Sequence, residues 1–138
     1  MADAHLSGWA YWQFKRFQDL TTSAFDGSEG FYNNDESLQI WKVKALSRTY
    51  MPKTAGKLQK MNFNTETAHF IATFSPNSDL EAPSRLYINQ ELWYPYGFEI
   101  SASAEGYEQN VWSTFTVDTS ETNFVDFKID TNQEWYTG

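Results

Sequence analysis

Residues 6–14, LSGWAYWQF, form an almost unbroken apolar and aromatic run. A half-exposed strand alternates polar with apolar residues, whereas a run without that alternation is the pattern of a strand buried on both sides. Such a strand demands neighbours along both edges. Residues 15–33 follow with Lys15, Arg16, Asp19, Asp26 and the turn formers Gly27, Ser28 and Gly30, and they read as a long loop, a length that usually carries function. Asn33 and Glu36 stand at capping-box spacing, and Leu38, Trp41, Val43, Ala45 and Leu46 supply an apolar stripe for a helix over 35–48, which Pro52 and Gly56 end.

After residue 57 the period drops from about 3.6 to about 2. In residues 67–74 Ala68, Phe70, Ala72 and Phe74 share one face, and Thr67, His69, Ile71 and Thr73 share the other. Further short strands are expected at 58–63, 85–89, 97–103, 111–117 and 123–129, with Trp135 and Tyr136 on a last edge. Turn chemistry separates them at Pro76, Pro83, Gly106 and residues 118–122, and no helical stripe intervenes. The expected fold is therefore mainly β: an antiparallel β-sandwich over 57–138. Residues 1–56 precede it as a strand-loop-helix unit, the shape of the last repeat of a TIM barrel whose other repeats are missing.

Composition bounds what the chain can do. Its 138 residues are enough for one ordinary domain with a real core, 41% are hydrophobic and 18% aromatic, and there is no cysteine. Disulfides, thiolate metal sites and thiol catalysis are thereby excluded. No run approaches the length of a membrane span, and MADAHLSGWAYW lacks the basic and long apolar segments of a signal peptide, so a secretion signal is expected only upstream. Charge divides the chain: residues 1–60 hold eight Lys or Arg against six Asp or Glu, while residues 61–138 hold two, Arg85 and Lys128, against twelve. From Trp41 to Lys60 there are six bases and no acid, which reads as the solvated side of a helix and its exit. A net charge of -8 repels a phosphate backbone, so nucleic acid is not an expected partner.

The chemistry-bearing motifs are sparse. There is no nucleophile elbow, no phosphate-cradling glycine loop and no paired-histidine metal spacing, and no cofactor or metal is expected. His5 lies at the foot of the first strand and His69 on the less apolar face of its own, both structural positions. Glu91 and Glu99 flank an aromatic stretch as the only carboxylate pair worth weighing, and a solvated sheet edge explains them. The aromatic residues say more. Trp9, Tyr11 and Trp12 end a strand where a barrel opens to its active-site face; Trp12 offers a flat platform for the C–H face of a sugar, and Gln13 and Lys15 can donate to its hydroxyls. Core packing explains Trp9 and Tyr11 equally well. A second cluster, Trp93, Tyr94 and Tyr96 around Pro95, suits contact with carbohydrate or a lipid interface, or packing on a neighbouring domain.

Taken in order, GWAYWQFKRFQD, EGFY, ALSRTYMPKTAG and WYPYGFEISAS resemble the C-terminal part of endoglycoceramidases and related glycosylceramidases of glycoside hydrolase family 5. The resemblance covers nearly the whole chain, and LSRTY and YPYG are its most specific pieces. It implies a TIM barrel with two catalytic glutamates, an acid/base after the fourth strand and a nucleophile on the seventh, and a β-sandwich packed on the barrel. By resemblance, residues 6–14 correspond to the eighth strand, 15–33 to its active-site loop and 35–48 to the last barrel helix. Trp12 then matches the tryptophan that stacks on the sugar beside the cleaved bond. Both glutamates are expected before Met1, so no catalytic residue lies in this chain. Thr49 replaces the proline or small residue usual after the arginine of the linker motif, a tolerated change.

The resemblance further implies a glycosphingolipid or oligosaccharide as partner, a membrane surface near the sandwich, and a secreted, lysosomal or extracellular setting. Two alternatives stand beside it. One is a non-catalytic sandwich that binds carbohydrate or membrane through Trp93, Tyr94 and Tyr96. The other is a structural or assembly protein completed by a second chain, either the rest of the barrel or another copy of itself, because bare Trp9, Tyr11 and Trp12 would otherwise invite aggregation.

Overall fold

The structure, a computed structural model, describes residues 3–15, 29–77, 79–103 and 115–129. After a 3₁₀ turn at Asp3–His5 come α1 (Ile40–Leu46), β1 (Tyr50–Lys53), β2 (Gly56–Phe63), β3 (Phe70–Pro76), β4 (Ser84–Tyr87), α2 (Gln90–Trp93), β5 (Phe115–Asp118) and β6 (Phe124–Ile129). The fold is mainly β, and these strands pair antiparallel. β1, β4, β6 and β5 form a four-stranded sheet in that order, while β2 and β3 form a hairpin.

The hairpin follows the two-residue period of its sequence. Ala68, Phe70, Ala72 and Phe74 are half-buried and His69, Ile71 and Thr73 exposed. Phe74 meets Phe127 of β6 edge to face, with centroids 6.1 Å apart, and so joins the hairpin to the larger sheet. Asn64 shapes the turn by accepting the N–H groups of Glu66 and Thr67. At the far end Gly56 has φ +148°, and a Cβ there would collide with the Ser75 carbonyl and the Pro76 Cα, so glycine is required where β2 begins.

In the larger sheet the register sets Arg85 opposite Asp126 and Tyr87 opposite Phe124 on one face, with Leu86 opposite Val125 and Ser84 opposite Phe127 on the other. That second face is the core side. Val125 has no exposure at all, and Met51, Phe63 and Ile88 are buried too. Buried Ser84 is satisfied by accepting the Ala55 N–H at 2.9 Å. On the first face Tyr50, Tyr87 and Phe124 make a ring ladder across β1, β4 and β6. Arg85 grips Asp126 with two bonds of 2.7 and 2.6 Å, reaches Glu121 at 2.9 Å and lies over the Phe124 ring.

Several expectations are corrected. Residues 6–14 form no strand, and Trp9, Tyr11, Trp12 and Phe14 lie exposed rather than buried on both sides, so the barrel-type unit is not visible. A single extended segment has no ladder to join unless strands flank it. The helix is shorter than 35–48. Asp35 Oδ1 takes the Ser37 N–H and hydroxyl, Glu36 has φ 66°, and this local turn displaces the capping box and delays the helix to Ile40. Its inward face also differs: Gln39 and Lys42 are buried and both donate to the Gly30 carbonyl, at 3.2 and 2.7 Å, whereas Leu38 and Trp41 are exposed. Val43, Ala45 and Leu46 of the expected stripe are half-buried, and the Gly30 carbonyl beside them takes donors rather than methyl groups.

β1 begins upstream of the expected start at 57, because Pro52 sits in an edge strand, where a missing N–H is tolerated, instead of stopping a helix. Residues 97–103 are irregular, with Gly97 at φ 96° and no ladder partner among the described residues. The strand expected at 111–117 is seen only as Phe115–Asp118, since residues 111–114 lie outside the described residues, as do Trp135, Tyr136 and residues 16–28 of the long loop. Among the described residues no helix is long and apolar enough to cross a membrane.

The Arg85 contacts hold the Asp126 carboxyl below the usual carboxylate range, the hydrogen bond from Arg85 being the main cause. A lowered folded-state value stabilises above the unfolded pKa of about 3.9 and is lost as pH falls through the folded value. Asp126→Asn is therefore expected to lower the melting temperature near neutral pH by about 5 °C. By circular dichroism the difference from wild type should narrow as pH falls below about 4.

Candidate functional site

Trp12 is 62% exposed, and its ring offers an open flat face. The segment carrying it is held by two backbone bonds, from Gln13 N–H to the Glu29 carbonyl at 2.8 Å and from Phe31 N–H to the Phe14 carbonyl at 3.1 Å. Rings reinforce them: Tyr11 and Phe14 pack on Phe31, and Phe14 meets Tyr32 edge to face. The Trp12–Gln13 peptide is cis. Gln13 is half-buried, and Lys15 Nζ lies 3.4 Å from Glu36 Oε1 and 5.6 Å from the Tyr32 ring centre. Trp12, Gln13 and Lys15 thus stay together as neighbours along one pinned segment.

The second aromatic cluster divides. Trp93 and Tyr94 are half-buried, whereas Tyr96 is fully exposed. Trp93 Nε1–H donates to the Lys44 carbonyl at 3.0 Å, its ring meets Phe63 edge to face at 4.8 Å, and the Lys44 ammonium lies over it. Tyr94 donates its hydroxyl proton to the Ala68 carbonyl at 3.1 Å. Thr49 Oγ1 stands 2.6 Å from the same hydroxyl, and since Tyr94 has only one proton, Thr49 is the donor there. Burial pushes the Tyr94 phenol above its ordinary pKa, and the bond to Thr49 opposes the rise.

Asn89 completes the junction. Its Oδ1 caps α2 by accepting the Leu92 N–H, and its Nδ2 donates to Ser47 Oγ at 3.1 Å. The exit of α1, the turn before β3 and α2 are tied together by Ser47, Thr49, Ala68, Asn89, Trp93 and Tyr94. LSRTY and YPYG, remote in sequence, meet in this cluster. Nothing in the strand pattern signals that meeting, although Asn89 three places before Leu92 is a readable N-cap.

Beside α2 an open cleft of about 750 Å³ lies between Gln90 and Glu91, the edge-to-face rings of Tyr94 and Phe98, and the turn at Thr122 and Asn123. Asn123, at φ 64°, accepts the Gln90 N–H with its Oδ1 and the Ile88 N–H with its carbonyl. Glu91 lines this cleft; Glu99 does not. His69 is exposed just ahead of β3, and His5 is exposed at the end of the 3₁₀ turn. Gln90, Thr122 and Asn123 were not legible as site residues, because each lies in a turn or a single-turn helix whose place is set by tertiary contacts.

A mainly antiparallel domain in which a hairpin packs on a four-stranded sheet is consistent with a β-sandwich. The family model of the glycoside hydrolase family 5 C-terminal domain matches residues 48–135, more than half of the chain. The chain belongs to that family. It matches no curated protein.

Tyr94→Phe removes the hydroxyl that Thr49 and Ala68 share, and is expected to cost about 1–2 kcal/mol of stability in urea unfolding. Thr49→Val acts on the same bond, so the double variant should lose less than the sum of the two.

Proposed function

We propose that the chain is the C-terminal part of an endoglycoceramidase-like retaining glycoside hydrolase acting on glycosphingolipids. The observation that carries this is the open face of Trp12 on a pinned aromatic segment, ahead of a family 5 C-terminal domain. In this reading residues 6–14 become a barrel strand when flanked by strands from outside this sequence. That docking covers Trp9, Tyr11 and Phe14 and leaves Trp12 to the sugar site. The sandwich supports the barrel on the side nearer the lipid.

Retaining hydrolysis needs two carboxyl groups about 5–5.5 Å apart, one protonating the leaving oxygen and one attacking the anomeric carbon. Both glutamates would come from the barrel outside this sequence. The chain's own share is positional. The indole of Trp12 stacks on the C–H face of the ring beside the scissile bond, and Gln13 and Lys15 donate to its hydroxyls. Stacking that tightens as the ring flattens lowers the barrier, whereas equal stacking in the ground state lowers only KM.

In the complete enzyme Trp12→Ala is expected to lower turnover of a fluorescent glycosphingolipid tenfold or more, about 1.4 kcal/mol in the barrier. The chain by itself should release no sugar from the same substrate. An unchanged rate for the Trp12 variant would remove that residue from the site.

A further inference from the structure

The cleft beside α2 is built from unlike materials. One wall is aromatic: Tyr94 and Phe98 stand edge to face with centroids 5.8 Å apart. The polar lining residues are Asn89, Gln90, Thr122 and Asn123, uncharged, together with Glu91. Its framework is fixed in advance. Thr49 and the Ala68 carbonyl hold the Tyr94 hydroxyl, the Asn89 cap holds α2, and Asn123 Oδ1 holds the Gln90 N–H. With Oδ1 engaged, the Asn123 side chain keeps its Nδ2 as a donor for hydrogen bonding.

This lining sorts ligands by charge and polarity. It has no lysine or arginine, it includes a carboxylate, and it belongs to a chain of net charge -8, so phosphate and other anions are disfavoured. An apolar ligand would strip water from the amides of Gln90 and Asn123 without replacing the hydrogen bonds. A pyranose ring satisfies both walls, with an apolar C–H face for an aromatic ring and hydroxyls that donate and accept. We infer that this cleft is a binding site for a neutral sugar, with Gln90, Thr122 and Asn123 bonding the hydroxyls and Tyr94 or Phe98 supplying the stacking face.

None of these residues belongs to the Trp12 segment, so the inference stands or falls separately from the glycolipid reading. The test is a heteronuclear NMR titration of the whole chain with lactose and, in a separate arm, with phosphatidylcholine vesicles. Lactose is expected to shift the amides of Gln90, Glu91, Thr122 and Asn123 saturably. Gln90→Ala and Thr122→Val, two surface changes that spare the Thr49–Tyr94 bond, should each weaken binding about fivefold while leaving the remaining spectrum folded. Absence of shifts at these four residues overturns the proposal. So does affinity that both variants leave unchanged. Shifts caused by vesicles and not by lactose would replace the sugar with a bilayer surface.

Discussion

The hydrogen bond between Thr49 and Tyr94 fixes more of this molecule than its length suggests. Thr49 lies between α1 and β1, Tyr94 lies just past α2, and the Tyr94 hydroxyl donates to the Ala68 carbonyl before β3. Three pieces of chain separated by tens of residues are thereby set relative to one another. Losing Tyr94 from this part-buried pair is costly, because buried Thr49 keeps its desolvation penalty without its bond. The indole of Trp93 on the Lys44 carbonyl and the amide of Asn89 on Ser47 work at the same junction, so the helix exit is positioned by polar contacts rather than by its apolar stripe. The sandwich and the segment ahead of it are connected there.

That junction explains why the two aromatic clusters behave differently. Around Pro95, Trp93 and Tyr94 spend their polar atoms on the protein and show water only part of their rings, while Tyr96 projects from the turn. In residues 6–14 the rings of Tyr11 and Phe14 find Phe31 and Tyr32 but no strand, and Trp12 keeps an open face. An aromatic residue needs both a surface to cover and a partner for its polar edge. The cluster around Pro95 has both within the chain, and residues 6–14 have them in part.

What could be read from the sequence depended on whether a residue's surroundings are local. The alternation in residues 67–74 located the half-buried side of β3 correctly, because a strand on a core imposes a period of two. The strand at 123–129 and the mainly β antiparallel class were legible for the same reason, and the C-terminal-domain resemblance agrees with the family match. The helix was legible as an element, but its inward face was not. Lys42 turns in because the Gly30 carbonyl lies there, and no hydrophobic period encodes a backbone oxygen 12 residues upstream. Pro52 misled in a similar way: a helix stop and an edge strand use the same residue, and only the sheet order separates them. The cleft residues were invisible because turns from distant parts of the chain build them.

Arg85 carries one further consequence. In the half of the sequence where acids outnumber bases twelve to two, this guanidinium is shared between Asp126 and Glu121. Exposed charges act on one another over about 10 Å in 0.1 M salt and over about 3 Å in 1 M. Added electrolyte therefore weakens the exposed contact with Glu121 before the more sheltered two-bond grip on Asp126.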